Sequence, residues 1–377
     1  MKIPLFKIHW DEDDVRAVNE VIRSGMYWTN GPRSEEFEKR LAEYLTRKYA
    51  VVFNSGTSAL HAAVLAHCVK EGEVIVPSFT FIATSNALVM AGVKPVFADI
   101  EEKTFGLDPE AVKEKITDKT KAIITVHYGG SPCMIREIKE IAEDHKILLI
   151  EDAAESFGAK IGNEKVGDFG DSAMISFCQN KVVTTGDGGA VITDSQDVYE
   201  RLKLVRSHGR LENMDYFSTW KEMDYVVLGY NYRMSDITAA LGISQLNKID
   251  NLIDMRRRNA ARLTKAMSKV KNITPPKPPK DYYHIYQMYT IRMKEGKDVR
   301  DKLASYLGEK GVSTKVYFYP VHLTYFYRNV LKYRCRLPVT ETVSQQVLSL
   351  PIYPSMTTKE IDYIANEIES FQKVDRK

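Results

Sequence analysis

No run of eighteen apolar residues occurs in the 377-residue sequence, so a membrane-spanning helix is not expected. Met1 to Phe6 leads almost at once into the acidic Asp11-Glu12-Asp13-Asp14, which leaves no room for the apolar core of a signal peptide, and a cytoplasmic location is the expectation. Cysteine is scarce: Cys68, Cys133, Cys178 and Cys335 stand far apart, with no CxxC pair and no histidine at metal-ligand spacing. That excludes a disulfide framework and a zinc site as organising principles, and no metal is expected. Charge of one sign is also lacking, since 53 basic residues face 50 acidic ones, and a net +3 gives no footprint for nucleic acid. The run Arg256-Arg257-Arg258 reads as a solvated helix face. No GxGxxG follows an expected strand, which argues against a dinucleotide site. Internal repeats and low-complexity segments are absent too.

What is present is the patterning of an α/β protein. Short apolar runs at Ala50 to Phe53, Glu73 to Val76, Pro95 to Asp99, Ala122 to Val126, Ile147 to Ile150, Ala173 to Phe177 and Ala190 to Thr193 read as strands. Strands apolar on both faces predict a mostly parallel sheet covered on both sides. Helical periodicity falls between them, at Glu35 to Leu45, Ser58 to His67, Thr84 to Met90, Pro109 to Lys115 and Met134 to Asp144. A second region begins near Ile249 with a helix over Leu252 to Val270, and the prolines of Thr274-Pro275-Pro276-Lys277-Pro278-Pro279 then forbid helix. A strand (Tyr286 to Met293), a helix (Val299 to Gly311), an aromatic loop (Tyr317 to Tyr327) and a last helix (Lys359 to Lys373) complete it. The expectation is a large α/β domain over 1–250 and a smaller α+β domain over 251–377.

Three short segments carry the chemistry. Asn54-Ser55-Gly56-Thr57-Ser58-Ala59-Leu60 follows a strand and opens a helix, so its N–H groups and hydroxyls converge where a helix N-terminus favours an anion. It also suits a glycine turn with a serine cap. Ile150-Glu151-Asp152-Ala153-Ala154-Glu155-Ser156 puts acids at the C-terminal end of an apolar strand, where ligands bind in open α/β sheets. A carboxylate there could hold a pyridine nitrogen protonated, and Asp152 could equally cap a helix. In Ser176-Phe177-Cys178-Gln179-Asn180-Lys181, one lysine stands between an apolar strand and the turn Thr184-Thr185-Gly186-Asp187-Gly188-Gly189. Apolar flanks would desolvate its ammonium and favour a reactive amine.

The order and spacing of these segments resemble the DegT/DnrJ/EryC1/StrS family of sugar aminotransferases. Further matches are Ser24-Gly25, Asn30-Gly31-Pro32, Pro77 to Thr84, Gly229-Tyr230-Asn231-Tyr232-Arg233-Met234 and Leu348-Ser349-Leu350-Pro351-Ile352-Tyr353-Pro354, so nearly the whole chain takes part. The resemblance implies the fold type I of PLP-dependent transferases, aspartate aminotransferase-like, with a mostly parallel central sheet. It implies pyridoxal 5'-phosphate (PLP) carried on Lys181, with pyridoxamine phosphate as intermediate, and Asp152 against the pyridinium nitrogen. Phe81 matches the position that stacks on the cofactor, while Gly56, Thr57, Ser58 and Ser176 match the phosphate cradle and Glu155 a further cofactor contact. Asn231 matches a residue reaching the neighbouring subunit's phosphate, which implies a homodimer with shared sites, although an asparagine there also suits a turn. Arg233, His322, Trp28 and Tyr317 are the implied substrate contacts, although aromatics at positions such as the last two more often serve core or interface packing. His208 matches a family position without an assigned role. Asp187 stands where many relatives have glutamate, and Gly129-Gly130-Ser131-Pro132-Cys133-Met134 lacks an aspartate that relatives often place before the methionine, a departure that bears on specificity.

The implied reaction moves an amino group from L-glutamate, leaving 2-oxoglutarate, to a nucleotide-linked keto sugar. The pattern looks most like enzymes acting at C4 of a 4-keto-6-deoxy hexose, as perosamine synthases do, with amination of a 3-keto sugar as the alternative. Surface polysaccharide synthesis is the usual family setting. A PLP-dependent sugar dehydratase would carry histidine in place of Lys181, and a PLP-binding regulator would need a DNA-binding element that the sequence does not display.

Overall fold

Apolar runs bounded by turn residues form the longer strands, of four to seven residues, and most of these lead into a helix. A computed structural model describes residues 1–69, 71–211, 220, 222–268 and 270–374. The first half holds β1 (Tyr49–Phe53), β2 (Glu73–Pro77), β3 (Lys94–Ala98), β4 (Thr120–Val126), β5 (Leu148–Asp152), the short β6 (Lys160–Ile161) and β7 (Glu164–Lys165), β8 (Ser172–Ser176) and β9 (Gly189–Thr193). Around them run α1 (Glu12–Ser24), α2 (Pro32–Tyr44), α3 (Gly56–Ala66), α4 (Ala83–Met90), α5 (Pro109–Lys115), α6 (Ile135–His145), α7 (Gln196–Arg206) and α8 (Asp236–Leu246). The rest comprises α9 (Ile249–Met267), β10 (Ile273–Thr274), β11 (Tyr282–Tyr283), β12 (Tyr289–Met293), α10 (Lys297–Glu309), α11 (Pro338–Gln346), β13 (Val347–Leu350) and α12 (Thr358–Val374).

The central sheet has seven strands in the order β1-β9-β8-β5-β4-β2-β3. β8, β5, β4, β2 and β3 are mutually parallel, while β9 runs antiparallel to both neighbours. Every expected strand of the first half is there, some shifted by a residue or two, and the mostly parallel sheet is as the sequence predicts. Side chains alternate across it: Val51, Phe53 and Ile150 pack in one buried cluster with α3, and Ala50, Val52 and Ile175 in another with α2 and α8. A further cluster joins Ile3 to α9, β12, α10, β13 and α12, and Ile3 is tied there through its N–H to Gly311 O (2.8 Å).

Four helices among the described residues, α1, α7, α8 and α11, fall where the sequence reading marks none, and α8 has a physical reason for being hidden. α8 is buried nearly all round (Ala239, Ala240, Gly242 to Leu246), so it shows no polar stripe. α1 carries apolar residues at helical spacing (Val15, Val18, Val21, Ile22), a stripe the sequence reading passed over, and stands on its capping box, in which Asp11 accepts from the N–H groups of Asp13 and Asp14 while Asp14 accepts from Asp11 N–H. The arginine run needs correction. Arg256 is 3% exposed and donates to the carbonyls of Tyr286, Gln287 and Ile352, because the segments just before β12 and just after β13 close over α9 on this side. Arg257 stacks on Tyr283 and donates to His284 O, so of the three only Arg258 faces solvent.

Glu360 gives a stability prediction. Burial works against its charge, but Thr357 N–H and hydroxyl, the Tyr353 hydroxyl and Lys7 together hold its carboxyl down to about 2. A carboxyl depressed from 4.5 stabilises the fold above that value, and the contribution is lost as pH falls toward about 2. Glu360→Gln is therefore expected to lower the unfolding midpoint at pH 7, with the gap from wild type closing as the buffer is taken below pH 4.5. A gap independent of pH would contradict this.

Candidate active site

Lys181 owes its position to the hairpin between β8 and β9. Phe177 N–H bonds Gly188 O (2.9 Å), and Phe177 O accepts from Thr185 N–H (3.0 Å) and the Thr184 hydroxyl (3.2 Å), which pins both arms. Gly186 completes the return with φ +86°, a region side chains avoid. Lys181 N–H bonds Cys178 O in a tight turn, and Gln287 Nε2 holds Asn180 O at 2.7 Å from the other side. The lysine side chain is only 13% exposed, and its Nζ lies 3.7 Å from Glu155 Oε1.

Asp152 ends β5 on the same side. It is 4% exposed, with Oδ2 accepting from the Thr84 hydroxyl (2.8 Å) and Oδ1 from Ala154 N–H (3.1 Å). Burial pushes its pKa up, against the pull of those donors and of Lys181. A buried carboxyl in that condition is completed by a cation. Glu155, just beyond, is 6% exposed and takes Gly129 N–H on Oε2 at 2.9 Å.

The strand's other acid points away. Glu151 is fully buried on the opposite face, where the N–H groups of Gly167, Phe169 and Gly170 and the ring of His127 surround it. Those donors hold its carboxyl below the usual range despite burial. It anchors the loop after β7 to the end of β4.

At the start of α3, Ser55 caps the helix by accepting from Ser58 N–H (3.1 Å), and the two hydroxyls lie 2.8 Å apart. A Cβ on Gly56 would stand 3.0 Å from Ser176 Cβ and Oγ, so glycine is what lets the first helical turn meet the end of β8. Gly56 and Ser176 thus meet where α3 begins, with Thr57 and Ser58 in its first turn and the helix dipole behind them, a wall that suits a phosphate. Phe81, at the mouth of α4, leaves its large ring 60% exposed, 6.3 Å from the ring of Phe318.

The remaining candidates are placed less evenly. Tyr317 is half-buried and faces Glu155 and Cys178; burial first, then their charges, pushes its phenol up. Asn231 is exposed, and it is its carbonyl that receives Asn54 Nδ2 (3.2 Å) beside the phosphate wall. Its neighbours Tyr230 and Tyr232 stack at 4.8 Å, and the Tyr232 hydroxyl meets His61 Nδ1. Arg233 is half-buried next to Phe53, and Trp28 is 51% exposed with its carbonyl on Asp236 N–H. His208 is exposed, as a loop residue.

His322 departs from the sequence expectation of a substrate contact. It is 2% exposed, its Nδ1 meets Ser78 Oγ at 2.7 Å and its Nε2 lies 3.4 Å from Glu341. Nδ1 ties the aromatic segment to the residue that follows β2 and Nε2 faces Glu341 on α11, so His322 is placed to shape that segment. Sequence reasoning also passed over Thr84 and Gly129, which orient Asp152 and Glu155. Thr84 lies in the quoted Pro77 to Thr84 motif, but nothing local marks its hydroxyl as aimed at an acid 68 residues away.

A model of the DegT/DnrJ/EryC1/StrS aminotransferase family matches residues 9–369. The chain belongs to this family. GDP-perosamine synthase of Escherichia coli O157:H7 is 35% identical over 98% of both chains, and the protein of that name in Caulobacter vibrioides 36% identical over 87% of both. Among solved structures, Helicobacter pylori PseC, an aminotransferase involved in the biosynthesis of pseudoaminic acid, superposes with a TM-score of 0.92 at 29% identity, over 99% of this chain and 100% of that one. The Streptococcus pneumoniae putative sugar aminotransferase Spr1654 reaches 0.93 at 26% in its PLP form, over 99% of both chains. The chain is therefore a PLP-dependent sugar aminotransferase of fold type I. The site fits that cofactor: a buried carboxyl suited to a cationic ring nitrogen, a largely buried lysine near it, and a helix start whose glycine meets Ser176 and suits an anion.

Among the described residues no helix is long and apolar enough to cross a membrane.

Proposed function

We propose that the chain transfers the amino group of L-glutamate to C4 of a nucleotide-linked 4-keto-6-deoxy hexose, with GDP as the favoured nucleotide. The relatives named GDP-perosamine synthase, similar over most of their length, support that substrate. The observation that carries the chemistry is the convergence of Lys181, Asp152 and Glu155 on one buried spot at the strand ends.

Bound PLP supplies an electron sink for the carbanion left when the donor loses its α-proton. Lys181 holds the cofactor and, once released, carries that proton on Nζ between the two carbons concerned. Asp152 keeps the ring nitrogen charged, with Thr84 and Ala154 fixing the direction of its carboxylate. Phe81 covers one ring face, and the wall of Gly56, Thr57, Ser58 and Ser176 anchors the phosphate. Arg233, with a planar fork suited to a diphosphate, and the aromatic Trp28 and Tyr317 receive the sugar nucleotide. His322 supports that surface from inside. Two copies pair so that Asn231 of each reaches the other's phosphate wall; its exposure supports this, as does the apolar surface left by Met26, Tyr27, Val226 and Leu228.

The test is a panel of GDP-, UDP- and dTDP-linked 4-keto and 3-keto sugars, each incubated with PLP, L-glutamate and the purified protein, with products read by mass spectrometry. Amination of the GDP-linked 4-keto-6-deoxy hexose is expected. Turnover confined to a 3-keto sugar would move the reaction to C3, and no amination anywhere would overturn the proposal.

A further inference from the structure

We propose that Glu155 is the proton-exchange partner of Lys181, a role that rests on the reading of Lys181 as the cofactor-bearing amine and goes beyond a contact with the cofactor. Glu155 Oε1 and Lys181 Nζ are 3.7 Å apart, with side chains 7% and 13% exposed. The other carboxylate oxygen is fixed by Gly129 N–H at 2.9 Å, which leaves Oε1 directed toward the amine. The separation is that of an ion pair and exceeds a hydrogen bond; rotating the last torsions of the lysine closes it, and catalytic contacts commonly tighten when a site is loaded.

The exchange moves a proton from the Lys181 ammonium to the Glu155 carboxylate, leaving an amine and a carboxylic acid, and the reverse step returns it. No electrons change hands and no co-reactant is required. In water the charged pair would dominate, but burial penalises the Glu155 carboxylate and so favours its taking up a proton. Burial indeed pushes the Glu155 carboxyl up, against Lys181 and Gly129 N–H. The other titratable groups facing Glu155 are Asp152 on its own segment, Tyr128 from the turn after β4 and Tyr317 from the aromatic segment. Burial keeps both phenols neutral, and Asp152 is committed to the cofactor's ring nitrogen. Glu155 is thus the carboxylate left to share a proton with the lysine.

Glu155→Gln keeps the shape and an acceptor for Gly129 N–H; Glu155→Asp keeps the charge at a longer reach. On the cofactor-free protein, Lys181 is labelled with an amine-acylating reagent across a pH series and quantified by peptide mass spectrometry. The labelling profile of Glu155→Gln is expected to lie about one pH unit below wild type, with Glu155→Asp between them. On the loaded protein, the glutamate half-reaction of Glu155→Gln is expected to slow about 10²-fold with a larger isotope effect from α-deuterated glutamate. An unshifted labelling profile, or an unchanged half-reaction rate, overturns the proposal. Wild type that fails to capture PLP on Lys181 would instead contradict the functional reading, and the labelling series then decides the Glu155–Lys181 pair by itself.

Discussion

Lys181→Ala is expected to lower sugar-amination turnover by about 10⁴-fold or more, because in the proposed mechanism one side chain both holds the cofactor and moves the proton. The loss should not come from unfolding. The hairpin is held by Phe177, Thr184, Thr185 and Gly188, and the lysine contributes through its backbone N–H, which alanine keeps. Removing the ammonium leaves Glu155 buried without its cation, but that carboxyl already sits high and can take a proton instead. Turnover and unfolding midpoint measured side by side separate the two effects. A variant that folds like wild type and still aminates within tenfold of it would remove Lys181 from the mechanism.

Asp152→Asn carries the second large effect, an expected loss of about 10² to 10⁴-fold in turnover. The range follows from breaking a buried charged pair, about 3–5 kcal/mol, at the rate of about 1.4 kcal/mol per tenfold. Asparagine has one acceptor oxygen for two donors, the Thr84 hydroxyl and Ala154 N–H, so its amide turns one N–H toward a donor or toward the ring nitrogen. Either arrangement leaves that nitrogen without its counter-charge. Capture of PLP by Lys181 should survive, since the lysine and the phosphate wall are untouched. Full turnover together with full capture would show that the carboxylate does not tune the ring.

The contrast between Asp152 and Glu151 shows what a sequence can carry. Both acids end one apolar run, and only the two-residue alternation of β5 decides that one faces the site and the other the interior. The buried place of Lys181 was foreshadowed by its apolar flanks between a strand and a glycine turn, while its proposed role comes from the resemblance. Thr84 was not, since its hydroxyl gains meaning from an aspartate far along the chain. Arg256 misled for the same reason: a basic run on a polar helix looks solvated until the carbonyls of residues 286, 287 and 352 close around it. His322 sat in a motif with the right neighbours, but its ring direction depends on Ser78 and Glu341. The strands survived this limit because burial on both faces writes itself into composition, whereas α8, equally buried, lost the stripe that marks a helix.

The most direct test of the account is a single-turnover absorbance experiment on the PLP-loaded wild-type protein, with L-glutamate added and no sugar acceptor present. The account predicts that the band of lysine-bound cofactor disappears as pyridoxamine phosphate and a matching amount of 2-oxoglutarate form, and that Lys181→Ala shows neither. A wild-type spectrum that glutamate leaves unchanged, with no 2-oxoglutarate released, would contradict it.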